Sequence, residues 1–337
     1  FSTAAVYIVG VLLMGPVGAV NALSLADLLA IQWYLGRFWE PINNVSNFYN
    51  SILTAMASME RIFEIMDTKP QVFDKRDDLP ELPPIRGEIT FDHVSFGYDP
   101  EQPVLEDVSF TVQPGQTIAL VGPTGAGKST IVSLVSRFYD VTGGSLRIDG
   151  YDVRDVKLQS LRRQMSVMLQ DSFIFSGTIL DNIRYGRLDA TEEEVIEAAK
   201  AVHAHDFIEK LPKGYRTEVN ERGSTLSTGQ KQLISFARAL LNDPRVLILD
   251  EATSSIDTHT EMLIQKALEV LLKNRTSFVI AHRLSTIRRA DRIMVVQDHA
   301  IAESGTHEEL MALPDGLYRS LCEAQYRFLE DESTVEA

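Results

Sequence analysis

The sequence predicts an α/β domain built on a parallel sheet and preceded by two long apolar helices. Strand and helix patterns alternate from residue 89 to about residue 304, as in sheets whose faces are covered by helices. Residues 117–121 form an apolar run that enters a glycine-rich loop, and residues 246–251 form another that ends in two acids. The N-terminal part is nearly uncharged. Its charged side chains before residue 61 are Asp27, Arg37, Glu40 and Glu60.

Length and charge narrow the class of function. With 337 residues the chain can form roughly two or three domains. Its net charge of −15 argues against nucleic acid as a partner, because nothing in the total would offset the repulsion of phosphates. Cys322 is the single cysteine, which excludes an internal disulfide and fits a reducing compartment for the α/β part.

The first apolar segment covers residues 4–20, inside a stretch of 26 residues without a charged side chain. Because about 20 apolar residues are needed to cross a bilayer, we predict a membrane segment here, incomplete at its N-terminal side. A signal peptide is the alternative. It is disfavoured because no basic region precedes the apolar stretch and a second long apolar segment follows.

The second apolar segment, residues 25–67, changes character along its length. It is apolar as far as Trp39 and then carries several asparagines and serines, which are costly against lipid but acceptable against other helices or a water-filled cavity. We predict a spanning helix that lines a pathway, is kinked at Pro41 and continues into an aqueous domain. Arg37 is either a functional intramembrane residue or a side chain that snorkels to the interface.

Residues 68–85 combine four prolines with a run of charged side chains. Such a composition predicts a linker that does not join a packed core, and therefore a domain boundary. Alternating apolar residues resume at Ile89, where we predict the first strand of the following domain.

A phosphate-binding loop is predicted immediately after the apolar run 117–121. The loop has the spacing G-x-x-x-x-G-K-S of a P-loop, whose backbone amides wrap the phosphates of a nucleotide. Its glycines at positions 125 and 127 remove Cβ atoms where the backbone must approach phosphate or take positive φ. A purely structural turn is the alternative, and the strand, loop and helix context disfavours it. The nine residues are Gly122, Pro123, Thr124, Gly125, Ala126, Gly127, Lys128, Ser129 and Thr130.

Each polar group of this loop has a predicted role. Lys128 would reach the β and γ phosphates, and Ser129 would hold Mg²⁺. The helix that follows would point its positive N-terminus at the anion. A second acidic site comes from the apolar run that starts at Val246, where Asp250 would lie beside Mg²⁺ and Glu251 would polarise the attacking water.

The stretch 225–232 resembles the signature of the ATP-binding cassette family, Leu-Ser-Gly-Gly-Gln at the start of a helix. Thr228 departs from it, because the family usually has its first glycine there. The resemblance implies that Ser227, Thr228, Gly229 and Gln230 contact the γ-phosphate of an ATP held by the P-loop of a second domain, so a dimer is implied. A simple capped helix, with Ser227 as N-cap and Gln230 completing a capping box, is a compatible alternative.

Other positions match the family one at a time. The resemblance implies that Tyr98 stacks on adenine and that Gln170 contacts Mg²⁺ and water while linking the sheet to a helical subdomain. It also implies that the loop 218–223 lies against the cytoplasmic helices of a membrane domain. Asp257 would lie in the loop that crosses the dimer interface, and His282 would be the switch histidine that contacts the γ-phosphate.

The resemblance extends over the whole chain and implies a domain plan. Residues 1–67 would be the last two membrane helices of an exporter-type half-transporter, residues 68–85 a linker and residues 326–337 a tail. Residues 86–325 would be a P-loop NTPase domain with a RecA-like core, an antiparallel β subdomain and an α-helical signature subdomain. The chain then resembles a C-terminal fragment, whose other membrane helices belong to its own full-length protein.

The function expected from this resemblance is that of an ATP-hydrolysing subunit of a multi-pass exporter in the cell membrane, with its nucleotide-binding domain in the cytoplasm. Its partners would be a second half-transporter, identical or different, membrane lipid, and an amphipathic small-molecule or lipid cargo. Two alternatives stay open. One is a soluble cassette protein of repair or translation, opposed by the acidic charge and the apolar segments. The other is a regulatory half of a heterodimer with one impaired ATPase site, suggested by Thr228.

Overall fold

The computed structural model describes residues 2–13, 24–168, 172–220, 223–251, 257–281 and 284–324. The chain divides into two compact units, Phe1–Pro70 and Gln71–Ala337.

The first unit contains two helices, α1 (Ser2–Leu13) and α2 (Leu25–Asp67). Ser24 caps α2 through a capping box, in which its hydroxyl accepts from the Asp27 amide at 3.2 Å and its own amide donates to the Asp27 carboxylate at 3.0 Å. Gly10 leaves no room for a Cβ because the Leu28 side chain occupies that space. The small residue therefore lets the two helices pack closely.

Among the residues that the structure describes, no helix is at once long enough and apolar enough to cross a membrane. Of the two segments predicted to span a membrane, residues 4–13 of the first and residues 25–67 of the second are helical, and residues 14–20 of the first lie outside the described part of the chain. The described α1 has 12 residues, and α2, which continues through Pro41, mixes its apolar residues with amides and hydroxyls.

The second unit is built on a six-stranded sheet with the order β12-β11-β3-β10-β9-β6, parallel except for β12. A four-stranded antiparallel sheet has the order β2-β1-β4-β5, and β7 pairs with β8. The predicted α/β fold with an antiparallel β part is confirmed. The strands are β1 (Ile89–Phe96), β2 (Leu105–Val112), β3 (Thr117–Val121), β4 (Gly143–Ile148), β5 (Tyr151–Asp152), β6 (Met165–Met168), β7 (Gly177–Thr178), β8 (Glu218–Val219), β9 (Val246–Glu251), β10 (Thr276–Ala281), β11 (Arg292–Gln297) and β12 (Ala300–Gly305).

Helices cover this sheet and form a separate helical layer, in which α8 packs against α5, α6 and α9. The helices of the unit are α3 (Lys128–Val135), α4 (Leu158–Arg162), α5 (Ile179–Arg184), α6 (Glu192–Ala201), α7 (His205–Glu209), α8 (Thr228–Asn242), α9 (Thr258–Leu272), α10 (Leu284–Arg289) and α11 (His307–Met311).

Alternate residues of the central strands feed two hydrophobic cores. In β3, Ala119 and Val121 belong to the core shared with the helical layer, whereas Ile118 and Leu120 belong to the core shared with the antiparallel sheet and α3. The same alternation in β9 and β10 follows from the two-residue period of a strand. The parallel strands are therefore buried on both faces, which holds their C-terminal ends in fixed positions.

The proline-rich segment, residues 71–85, differs from its prediction. Its apolar residues Leu79, Leu82 and Ile85 are buried. Prolines lack an amide donor, and two of the other amides of the segment donate to side chains in and just after α4. The Leu82 amide donates to the Ser160 hydroxyl at 2.9 Å, and the Ile85 amide donates to the Gln164 side chain at 2.9 Å. The expectation that this composition cannot join a packed core was wrong.

A buried charge also holds the segment. The Arg137 side chain is fully buried; its Nε donates to Asp140 at 3.0 Å and its Nη1 donates to the Val156 carbonyl at 3.2 Å. Asp74 lies 3.8 Å from the same guanidinium and accepts the Leu158 amide at 3.0 Å. The segment is thus tied to the end of α3 and to the start of α4.

Replacing Ile85 with alanine should lower the free energy of unfolding of this unit by about 2–5 kcal/mol, because the change removes buried methyl groups and leaves a cavity. Ile85 is 4% exposed, whereas Phe73 in the same segment is 51% exposed. Phe73→Ala is therefore the control and should change the value by roughly 0.5 kcal/mol or less. Urea unfolding followed by circular dichroism measures both. Equal effects of the two variants would contradict the packing of the segment.

Candidate functional site

The candidate site lies at the C-terminal edge of the six-stranded sheet. In the strand register, Leu120 of β3 is opposite Ile280 of β10, and Ile280 is opposite Asp250 of β9. The glycine-rich loop starts two residues after Leu120, so the loop and Asp250 lie at the same edge. Ligands of open α/β sheets bind outside the carboxyl ends of the strands, and this edge is therefore the place where a nucleotide would lie.

Neighbouring strands fix the shape of the loop. Gly122 has φ of 143°, and a Cβ there would overlap the Val296 carbonyl of β11. Gly127 has φ of 105°, and a Cβ there would lie 3.0 Å from the Leu105 side chain of β2. Gly127 is thus required for packing as well as for its backbone conformation. Between them, residues 123–125 are exposed and leave the loop accessible to a ligand.

Lys128 closes the loop from within. Its Nζ donates to the Gly122 carbonyl and to the Pro123 carbonyl, each at 2.8 Å. Burial lowers the pKa of Lys128, and the nearby Asp250 carboxylate acts in the opposite direction. The site therefore holds a half-buried amine between the loop and the acidic strand end. Ser129 is exposed at the first turn of α3.

Tyr98 joins the site from the antiparallel sheet. It follows β1, is 56% exposed, and its hydroxyl lies 3.1 Å from the Thr130 hydroxyl. The structure thus brings the residue predicted to stack on adenine next to the last residue of the glycine-rich loop. No sequence pattern links these two positions, which are 32 residues apart.

Several predicted residues lie outside the described part of the chain. These are Gln170, the loop residues 221–222, residues 252–256 and His282. Glu251 is described only through its backbone, which is opposite Ala281 in the register of β9 and β10. Gln170 follows β6 and His282 follows β10. Since both lie outside the described residues, their positions at the site remain predictions.

The start of α8 has the predicted capping box. The Ser227 hydroxyl accepts from the Gln230 amide at 3.3 Å, and the Ser227 amide donates to the Gln230 side chain at 3.0 Å. Ser227 and Thr228 are exposed, while Gly229 is buried. Asp257 caps α9 in a similar way by accepting from the Thr260 amide at 2.9 Å, and that hydrogen bond lowers the pKa of Asp257. Both helix starts are accessible from solvent.

A match to a protein-family model shows which kind of domain contains this site. The model of the ABC transporter family matches residues 105–254, which run from β2 through the glycine-rich loop and the capped α8 to the acidic end of β9. The chain carries an ABC transporter domain. This domain binds ATP.

Curated relatives that match most of the chain are ABC transporter proteins by name. An uncharacterized ABC transporter ATP-binding protein, YknV of Bacillus subtilis, is 54% identical over 91% of this chain and 50% of its own length. A fatty acid ABC transporter ATP-binding/permease protein of Mycobacterium tuberculosis is 48% identical over 87% of this chain and 46% of its own length. The chain therefore spans about half the length of the curated relatives it matches.

A solved structure extends the comparison beyond the ABC domain. A bacterial Atm1-family ABC exporter with ATP bound matches 96% of this chain and 55% of its own chain, with a TM-score of 0.74 and 40% sequence identity. Because the match covers 96% of the present chain, it extends to residues that precede the ABC domain.

The ABC domain also contains a cavity that sequence reasoning missed. It has a volume of 350 Å³ and lies beside β6, between that edge strand and α8. Arg238 of α8 lines it, donates to the Asn182 carbonyl at 2.8 Å, and lies over the rings of Phe175 and Tyr185. Burial lowers the pKa of Arg238. In the sequence, the signal for this cavity is an arginine within the otherwise largely apolar stretch 233–241 of α8.

Proposed function

We propose that this chain is the ATP-binding and ATP-hydrolysing part of a membrane exporter that couples ATP turnover to efflux of an amphipathic substrate. The proposal rests on the strand register, in which Leu120, Ile280 and Asp250 lie side by side on three neighbouring strands. This register brings the glycine-rich loop, Lys128 and an acidic strand end to one edge of the sheet. The similarity to ATP-binding/permease proteins supports the exporter part.

The proposed chemistry needs little covalent participation of the protein. The loop amides and Lys128 bind the phosphates, and Tyr98 stacks on the base. Glu251 orients the attacking water, and His282 contacts the γ-phosphate. Positioning and neutralisation of developing charge then account for most of the rate enhancement.

The residues that would hold Mg²⁺ are Ser129, Asp250 and Gln170. A hydroxyl, a carboxylate and an amide oxygen suit this ion, which prefers oxygen ligands and keeps several waters. The exposure of Ser129 next to the loop and the position of Asp250 at the same sheet edge fit this role. When bound, the ion neutralises charge on the phosphate oxygens.

A second half-transporter completes each site in this proposal. The N-terminus of α8 presents exposed Ser227 and Thr228, and an exposed helix start is a favourable place for an anion. It would face the nucleotide held by the opposite domain, together with Gly229 and Gln230. Asp257, exposed at the start of α9, would lie at the interface between the two domains.

In this proposal, nucleotide binding drives movement of a membrane domain. We assign residues 1–67 to a membrane domain, and the similarity of this region to an exporter supports that assignment. The coupling elements are Gln170 and the loop 218–223. This loop starts in β8, which is held by its pairing with β7, where Glu218 is opposite Thr178. The protein would lie in the cell membrane with the ABC domain in the cytoplasm.

The test is the ATPase activity of the intact protein in lipid, measured with a panel of lipids, peptides and hydrophobic cations. We expect ATP turnover that one class of amphipathic compound stimulates. Fatty acids belong in the panel because a relative carries that substrate in its name. ATP turnover that no compound changes, in a protein that forms no dimer, would contradict the exporter proposal.

A second candidate is a nucleotide-dependent regulatory half of a heterodimer, and Thr228 favours it. If the partner is a different chain, the α8 of this chain would face the weaker ATPase site, while its own P-loop would serve the stronger one.

Replacing Thr228 with glycine tests this candidate, because glycine leaves the helix start free to approach a phosphate. In a heterodimer we expect faster hydrolysis at the site that α8 faces, with the other site unchanged. Nucleotide trapped separately in each site gives the measurement. Comparable hydrolysis at both sites before the substitution would rule out the regulatory role.

A further inference from the structure

Three aromatic rings form a cluster beside the glycine-rich loop. The ring of Tyr98 lies 5.1 Å from that of Phe96 and 5.1 Å from that of Tyr139, with interplanar angles of 87° and 85°. Phe96 and Tyr139 are themselves 5.5 Å apart. Edge-to-face pairs at these distances are favourable beyond the area that they bury. Tyr98 therefore has two aromatic neighbours that fix the plane of its ring.

The three rings differ in their access to solvent. Phe96 belongs to the core, Tyr139 is half-buried against the same core, and Tyr98 is 56% exposed. A ligand can therefore contact Tyr98 while Phe96 and Tyr139 support the ring from the protein side. Phe96 is also buried in the core of the antiparallel sheet, whereas Tyr139 lies outside the strands of that sheet.

The backbone around Tyr139 is held on both sides. Before it, Arg137 is fully buried and pairs with Asp140 at 3.0 Å. After it, the Thr142 amide donates to the Ser95 carbonyl of β1 at 3.0 Å. Tyr139 is thus attached to the end of α3 and to the strand that leads to Tyr98.

The far end of the Tyr98 ring is held as well, by the contact of its hydroxyl with Thr130 at 3.1 Å. Thr130 lies in the first turn of α3, which starts at Lys128. One helix therefore connects the group that supports the base with the group that binds phosphate. A ring that is oriented before the ligand arrives loses less conformational entropy on binding.

We propose that Tyr139 is a positioning residue for the nucleotide base, which holds the Tyr98 ring in the orientation that stacks on adenine. This inference rests on the proposed role of Tyr98. Tyr139 contacts neither the loop nor Asp250 in the described contacts, so its effect is on binding of the base and not on the cleavage of phosphate.

The test compares Tyr139→Leu and Tyr139→Phe in the intact protein in lipid. The leucine removes the aromatic edge and should raise the KM for ATP roughly 2- to 10-fold, the effect expected of an aromatic pair, with kcat unchanged. The phenylalanine keeps the ring and should restore the original KM. Phe138→Leu is the control, because Phe138 is the neighbouring residue and is 49% exposed; it should leave KM unchanged.

Inorganic tripolyphosphate separates positioning from a general structural effect. It carries the phosphates without a base, so its inhibition constant should be the same in Tyr139→Leu and in the original protein. A parallel weakening of ATP and tripolyphosphate would overturn the inference, because it would show damage to the phosphate loop. Both constants are measured on one sample, so a smaller folded fraction does not imitate the expected result.

Tyr98→Ala distinguishes failure of this inference from failure of the proposed function. If Tyr98→Ala raises the KM for ATP and Tyr139→Leu does not, the positioning role is wrong while the base-stacking role stands. If Tyr98→Ala leaves the KM unchanged, the base-stacking role itself is wrong. In the double variant we expect no more than the effect of Tyr98→Ala alone, because Tyr139 acts through that ring.

Discussion

Replacing Lys128 with alanine is expected to reduce ATP turnover by roughly 100-fold or more, the loss typical of removing one preorganised donor to developing charge. In the structure its Nζ donates to the Gly122 and Pro123 carbonyls at 2.8 Å, so the amine also supports the shape of the loop. The substitution therefore removes a positive charge from the site and a support from the loop. The ATPase rate and the ATP concentration at half-maximal rate are the measurements.

The control for this variant is Lys200→Ala, because Lys200 is exposed and pairs only with Glu197 at 2.9 Å among the contacts described. Exposed ion pairs of this kind contribute little to stability. We expect the control to retain full activity. A Lys128→Ala protein with undiminished ATPase activity would exclude this loop as the phosphate site.

Replacing Glu251 with glutamine is expected to abolish turnover, by about 100-fold to 10,000-fold, while ATP still binds and the dimer stays closed. Glutamine has the size of glutamate but is a poor acceptor for a proton of the attacking water. Because the backbone of Glu251 pairs with Ala281 inside the sheet, the substitution leaves the strand in place. ATPase activity and the dimer fraction with ATP measure the two parts of this prediction.

Glu269→Gln is the matched control. Glu269 lies on α9 and pairs with Arg289 at the exposed surface, far in sequence from the glycine-rich loop. It should retain turnover and reopening of the dimer. Undiminished ATPase activity in Glu251→Gln would remove Glu251 from its proposed role, and a loss of ATP binding would indicate damage to the site instead.

The parts of the fold that depend on local sequence were predictable. The glycine-rich loop is specified by its own spacing, and β9 by an apolar run that ends at Asp250. The capping box at Ser227 also follows from residues three positions apart. In each of these cases the signal lies within the element's own residues, although the loop and β9 also pack against strands that are distant in the sequence.

The parts that depend on distant partners were not predictable in the same way. The proline-rich segment packs because Ser160 accepts the Leu82 amide, and these residues are 78 positions apart. The contact between Tyr98 and Thr130 likewise requires the antiparallel sheet to lie beside α3.

The capping box of α8 uses the hydroxyl oxygen of Ser227 but not its hydroxyl hydrogen. The Ser227 oxygen accepts the Gln230 amide, and a hydroxyl that accepts still has its own hydrogen to donate. In the proposed role of Ser227, capping of the helix and contact with a phosphate would use different parts of one hydroxyl and would not compete. Aspartate would cap the helix equally well, yet it has no hydrogen to offer and would repel a phosphate. A serine at this position can thus cap the helix and also serve the proposed contact with a phosphate, which an aspartate could not.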